Sequence, residues 1–159
     1  MTTTFYRHWR DVPAGVWRWP NFSPAEIACR GTGKLLVNEP ALDKLQALRD
    51  RLGKPLIVRS AYRSPEHNRT VGGATRSKHL DGAAFDIAMT NHDPVAFEAA
   101  ARAVGFLGFA VLAVLALVVH PAGGGRTGRR QRLLDANAAA EVFFREQLTT
   151  PEAVTGRAF

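Results

Sequence analysis

Within Ser77-Lys78-His79-Leu80-Asp81-Gly82-Ala83-Ala84-Phe85-Asp86-Ile87 an imidazole and a carboxylate stand seven residues apart, with small residues between them. Neutral imidazole nitrogen and carboxylate oxygen are ordinary zinc ligands, and a catalytic zinc site takes three protein ligands with the fourth position left open. His79 and Asp86 would supply two of the three, so a third must come from elsewhere in the chain. Cys29 is the single cysteine. An internal disulfide and a cysteine-rich zinc cluster are therefore excluded, and any metal rests on His, Asp and Glu. The plainer readings are a loop histidine held by a hydrogen bond and an Asp86 paired structurally with Arg63.

The positioning elements follow from the apolar runs. Ala83 to Met89 reads as a strand, with Asp86 inside it and His79 on the loop before it. Burying an aspartate in such a strand is costly unless it is paired or bound to metal. Pro55 to Tyr62 reads as a second buried strand ending in a polar loop. Ser64-Pro65-Glu66 then starts a short helix that Val71-Gly72-Gly73-Ala74 breaks. Further helices are predicted at Ser23-Pro24-Ala25-Glu26, with a capping box and a Phe22–Ile27 staple. Another follows Asn38-Glu39-Pro40, where Leu42, Leu45, Leu48 and Leu52 form a core stripe up to Gly53. A last clear one spans Val95 to Val104, stopped by Gly105. His67 reads as a surface or supporting residue, and His92 as an exposed residue of the Asn91-His92-Asp93 turn.

At 159 residues, with 46% apolar and 22% charged residues, the chain suits one globular domain with edges. The net charge of +7 favours an acidic partner: nucleic acid, an anionic membrane or an anionic cell-wall polymer. The basic residues are scattered, so a solvated basic surface is the simplest reading, and no specific nucleic-acid partner is expected. Residues 1–22 read as an irregular arm rich in Trp and Arg, interrupted by Pro13 and Pro20, whose aromatics pack on the domain. Aromatics alternating with arginine also stack bases or sugars. Residues 23–122 read as the domain, and 123–159 as a basic linker with an appended helix over 133–148.

The N-terminus lacks the apolar core of a secretory signal. The chain is expected to be cytoplasmic as synthesised and to reach a cell wall only if exported or released. Ala103 to Val119 holds seventeen uncharged, mostly apolar residues, near the lower limit of about 17–25 for a spanning helix. It reads either as a strand pair or helix inside the domain or as a membrane contact through 103–119.

Taken together, Ser60-Ala61-Tyr62-Arg63-Ser64 and Ser77-x-His79-x-x-Gly82-x-Ala84-x-Asp86 resemble the zinc D-alanyl-D-alanine carboxypeptidases and L-alanyl-D-glutamate endopeptidases, whose fold is shared with the Hedgehog signalling domain. The first motif departs from the family pattern at Ala61, where glycine is usual. The second matches it throughout. The resemblance covers roughly residues 20 to 109 and implies an α+β fold, a small mixed or antiparallel sheet with helices packed on one side. It implies Zn2+ on His79 and Asp86, with His120 as third ligand after an apolar strand. Arg63 would hold the substrate carbonyl and stabilise the oxyanion, while Ser60, Tyr62, Asn68 and Ser77 would contribute to substrate binding. The implied substrates are peptidoglycan stem peptides; the basic charge and the lack of a signal sequence suggest a phage or prophage lytic setting, and a monomer is expected.

The resemblance weakens around His120. Pro121 and Ala122 stand where the family carries an acidic partner, and no Asp or Glu occurs between Glu98 and Asp135. A reading-frame change near Phe109 would account for the abrupt shift in composition, and so would a genuine variant that keeps His120. General-base assistance is worth about 10²–10⁴-fold, so the expectation is a peptidase-family domain with slow or absent turnover. The alternatives are a non-catalytic module that binds cell-wall peptide and a membrane-anchored variant.

Overall fold

A computed structural model describes residues 2–112 and 139–143. The fold is α+β with antiparallel sheets, which resolves the mixed-or-antiparallel alternative. Strand β1 (Thr3–Tyr6) pairs with β2 (Leu35–Asn38) in a two-stranded sheet. Strands β3 (Val58–Ser60), β4 (Ala84–Ala88), β5 (Gly108–Leu112) and β6 (Ala139–Phe143) form a second sheet in the order β3-β4-β6-β5, every pair antiparallel.

The helices begin where their caps require. In α1 (Pro24–Ile27) the Ser23 and Glu26 side chains exchange bonds with each other's backbone N–H groups. Helix α2 (Glu39–Leu52) starts with Asn38 accepting from the Ala41 N–H and stops at Gly53, whose φ is 62°. Ser64 caps α3 (Pro65–Thr70), and Asp93 caps α4 (Pro94–Ala103). Each of these caps satisfies an N–H that the first turn leaves without a helical partner. Leu42, Leu45 and Leu48 of α2 are fully buried with Phe85, Ile87, Phe97 and Phe106, so the leucine stripe is core.

The N-terminal arm is more ordered than its prolines suggest. Residues 3–6 add a strand to β2, while Trp19 and Phe22 enter the core and Tyr6, Trp9, Val12 and Trp17 pack against it. The helix expected over 133–148 gives way at 139–143 to β6, which bonds β4 on one side and β5 on the other. Two neighbours satisfy its backbone groups, and such tertiary pairing overrides a modest helix propensity. The sheet thus draws on residues beyond 122. Of the apolar stretch 103–119, residues 108–112 form β5, and 113–119 lie outside the described residues. No helix among the described residues is long and apolar enough to cross a membrane.

His92 corrects the reading of an exposed turn. It is buried, its Nε2–H donates to the Pro55 carbonyl at 3.0 Å, and its ring meets Phe97 edge-on. Burial lowers its pKa, helped by the charge of Lys54 and opposed by the Pro55 bond. A folded pKa below the unfolded value of about 6.5 means that the unfolded state takes up the proton first. Stability is therefore complete above the unfolded pKa and declines as pH falls through it toward the folded pKa. Urea unfolding between about pH 7 and 5.5 should show this decline, and it should be shallower in His92→Asn.

Candidate metal centre

β3 and β4 bring the two motifs together. Their register sets Ser60 opposite Asp86, and the Arg63 N–H donates to the His79 carbonyl at 3.0 Å, tying the loop after β3 to the turn that carries the histidine. That turn is a 3-10 helix, Lys78–Asp81. Ser77 caps it by accepting from the His79 N–H, and Gly82 ends it with a φ of 63°. A Cβ on Gly82 would lie 2.9 Å from the Leu36 carbonyl oxygen. Glycine is thus required twice, for the left-handed backbone and for the approach to β2. Gly82→Ala is expected to cost about 1–2 kcal/mol for the backbone conformation alone, and more for the displaced carbonyl, as a lower urea midpoint would show.

The imidazole of His79 is buried, and its Nδ1 lies 2.6 Å from the Ala61 carbonyl oxygen. A carbonyl only accepts, so Nδ1 carries the hydrogen, and in the neutral ring Nε2 presents its lone pair. That nitrogen faces Oδ1 of Asp86 at 3.4 Å. Asp86 Oδ1 is itself buried and accepts no hydrogen bond from the described residues. A proton or a cation held beside the two atoms would offset the repulsion between a ring lone pair and a carboxylate oxygen at that distance.

The other carboxylate oxygen is held firmly. Arg63 Nη2 donates to Asp86 Oδ2 at 2.8 Å, and Arg63 Nε donates to Ser60 Oγ at 3.0 Å. Asp86 is thereby oriented with one oxygen committed to arginine and the other turned to His79. The donor set, a backbone-fixed imidazole and an oriented carboxylate, fits zinc. Holding the free ring N–H on a carbonyl is the usual way a ligating histidine is fixed. The pairing of Arg63 with Asp86 is thus present, and it engages only one of the two carboxylate oxygens.

The remaining expected residues divide. Ser60 braces Arg63, and Ser77 caps the histidine turn. Asn68 is buried and closes the loop after α3, donating from Nδ2 to the Ala74 carbonyl, and it stands against Gly73, where a Cβ would clash with its Oδ1. The Tyr62 phenol is pushed up by burial and by the charges of Cys29 and Glu66, which keeps it protonated at neutral pH. Neither Asn68 nor Tyr62 bonds to Arg63, His79 or Asp86 among the described residues. Glu66 is lowered chiefly by its hydrogen bond from Lys34. His67 lies with its ring against Gly31.

His120 lies outside the described residues, and no cluster of three His, Cys, Asp or Glu able to hold a metal occurs among the described residues. One acidic residue unweighed in the sequence does take a place near the site. Glu141 is the register partner of Asp86 across β4 and β6. No local signal marks it, because the strand pairing that places it joins residues far apart in the chain.

Part of the chain is similar to a zinc D-Ala-D-Ala carboxypeptidase of Streptomyces albus G, at 42% identity over 64 residues, or 40% of this chain and 25% of that enzyme. The match thus spans about a quarter of that relative's length. A family model described as Peptidase M15 matches residues 20–120, running from the capped α1 through both motifs to His120. Because that match takes in most of the 159 residues, including β3, the turn that carries His79 and the strand that carries Asp86, the chain belongs to the Peptidase M15 family.

Proposed function

We propose that the chain is a zinc peptidase domain acting on peptidoglycan stem peptides, as a D,D-carboxypeptidase or an L,D-type endopeptidase, with a Hedgehog-like arrangement of its sheet. The observation that carries this reading is the buried pair of His79 Nε2 and Asp86 Oδ1, 3.4 Å apart, with each side chain fixed from behind by Ala61 or Arg63. His79 and Asp86 would hold the zinc, with His120 as third ligand. When bound, zinc polarises a scissile carbonyl and lowers the pKa of a coordinated water toward about 7.

The chain's own residues account for the rest. Arg63 spends one N–H on Ser60 and one on Asp86, and its side chain is about a fifth exposed. Its remaining donors would bind a substrate carbonyl and stay in place as negative charge gathers on that oxygen. Ser60 holds the guanidinium by accepting from its Nε–H. Ser77 and Gly82 hold the histidine turn. Ser60, Tyr62, Asn68 and Ser77 would shape the peptide channel as much through these supports as through direct contact.

The test is digestion of purified peptidoglycan by the full chain with metal analysis of the same sample, on wild type and His120→Ala. Release of D-alanine or cut stem peptides, abolished by a chelator, is the expected result. Retained zinc and peptide binding without cleavage would establish the non-catalytic alternative. Unchanged zinc content and cleavage in His120→Ala would remove His120 from the ligand set.

A further inference from the structure

Strand β6 carries a second acidic residue to the row of the sheet that holds Asp86. The antiparallel register sets Ser60 of β3 opposite Asp86 on one side and Glu141 of β6 opposite it on the other, with Ala110 of β5 beyond. Residues directly opposite each other in an antiparallel pair share one face of the sheet, with Cβ atoms about 4.5–5.5 Å apart. Phe85 and Ile87, the chain neighbours of Asp86, belong to the opposite face, where they join the α2 leucines in the core. The Asp86–Glu141 row is therefore on the face turned away from that core. Its neighbours in register on this face include Ala88 opposite Ala139, which are small.

Like charges placed directly opposite each other across two strands repel. The two oxygens of Asp86 differ in how they are met. Oδ2 takes the Arg63 Nη2–H at 2.8 Å, whereas Oδ1 is buried, accepts no hydrogen bond from the described residues and lies 3.4 Å from His79 Nε2. Arg63 thus balances one carboxylate, and β4, β5 and β6 contain no lysine or arginine to balance a second. A divalent cation supplies what this row lacks, since a bound ion is often the largest charge in a site and carboxylate oxygen is a ligand for zinc.

We propose that Glu141 is a further carboxylate ligand of the cation held by His79 and Asp86. With those two it makes three protein ligands, the number a catalytic zinc takes, and it does so independently of His120. The inference rests on the zinc reading of His79 and Asp86 given above and not on peptide cleavage.

The experiment measures zinc affinity of the full chain by competition with a chromophoric chelator, for wild type, Glu141→Gln and Asp86→Asn, together with urea unfolding of each metal-free protein. Glu141→Gln is expected to weaken zinc binding beyond the roughly 10–100-fold that loss of a supporting residue costs. Its metal-free form should unfold at no lower urea concentration than wild type, because the substitution removes a like-charge pair. A lower metal-free midpoint with unchanged zinc affinity would make Glu141 structural and overturn the proposal. Unchanged affinity in Glu141→Gln with affinity lost in Asp86→Asn would also overturn it, while leaving the reading of His79 and Asp86 standing. Absence of zinc binding by wild type would remove both. Should Glu141→Gln fail to fold, Co2+ added to wild type decides: the Glu141 amide resonance is expected to shift or broaden with those of His79 and Asp86, and an unperturbed Glu141 resonance would overturn the assignment.

Discussion

Replacing His79 by alanine is expected to remove stoichiometric zinc from the purified chain and to abolish hydrolysis with it. Two effects add. The ring supplies the nitrogen that faces Asp86 Oδ1, and it also satisfies the Ala61 carbonyl at 2.6 Å from within the protein. Stranding that carbonyl in a buried place costs about 1–3 kcal/mol, apart from the void left by the imidazole. The metal contribution is read separately by linkage. A ligand that binds only the folded state adds about 2.7 kcal/mol at a hundredfold excess over its dissociation constant. Wild-type unfolding in urea should therefore shift upward with added zinc, and His79→Ala should not respond. A wild-type midpoint indifferent to zinc would end the metal assignment, whatever the activity data show.

The second large effect is expected at Arg63. Arg63→Ala removes the partner of Asp86 Oδ2 and the donors available to substrate. Breaking a buried ion pair from one side costs about 3–5 kcal/mol. This pair is 21% and 12% exposed at its two side chains, so the loss should fall at or below the low end of that range. Turnover should fall further, by about 10²–10³ in kcat if the guanidinium stabilises the oxyanion. Arg63→Lys separates charge from geometry, because a lysine cannot reach Ser60 and Asp86 together as the planar fork does. Ser60→Ala keeps the ion pair and removes only the brace, at about 1 kcal/mol. If Arg63→Lys restores stability and leaves kcat low, Arg63 acts on the reaction. Recovery of both together would reduce it to a structural pair for Asp86.

Both predictions depend on contacts of very different sequence range. The turn carrying His79 is local. Ser77 caps it and Gly82 ends it, both within a few residues of the histidine. The four helices are local in the same sense, since a cap, an early proline or a glycine stop acts within a turn of chain. The tautomer of His79 is not local, because it is set by a carbonyl eighteen residues earlier. Nor is the choice between Arg63 as a substrate group and Arg63 as a partner of Asp86. Sequence poses these as rivals, and the fold shows the pairing with Asp86.

The burial of His92 and the strand at 139–143 were misjudged for one physical reason. A turn motif and an alanine-rich composition report local preference. The Pro55 carbonyl and the open backbone groups of β4 and β5 are remote in sequence, and they outweigh it. The sequence by itself determined the turn that carries His79 and the strand that buries Asp86, because spacing and burial cost are properties of a short stretch. Only the tertiary structure decided which oxygen of Asp86 faces the imidazole, what braces Arg63 and that Glu141 is the register partner of Asp86. Those depend on which distant backbone groups the antiparallel pairing brings within hydrogen-bonding reach.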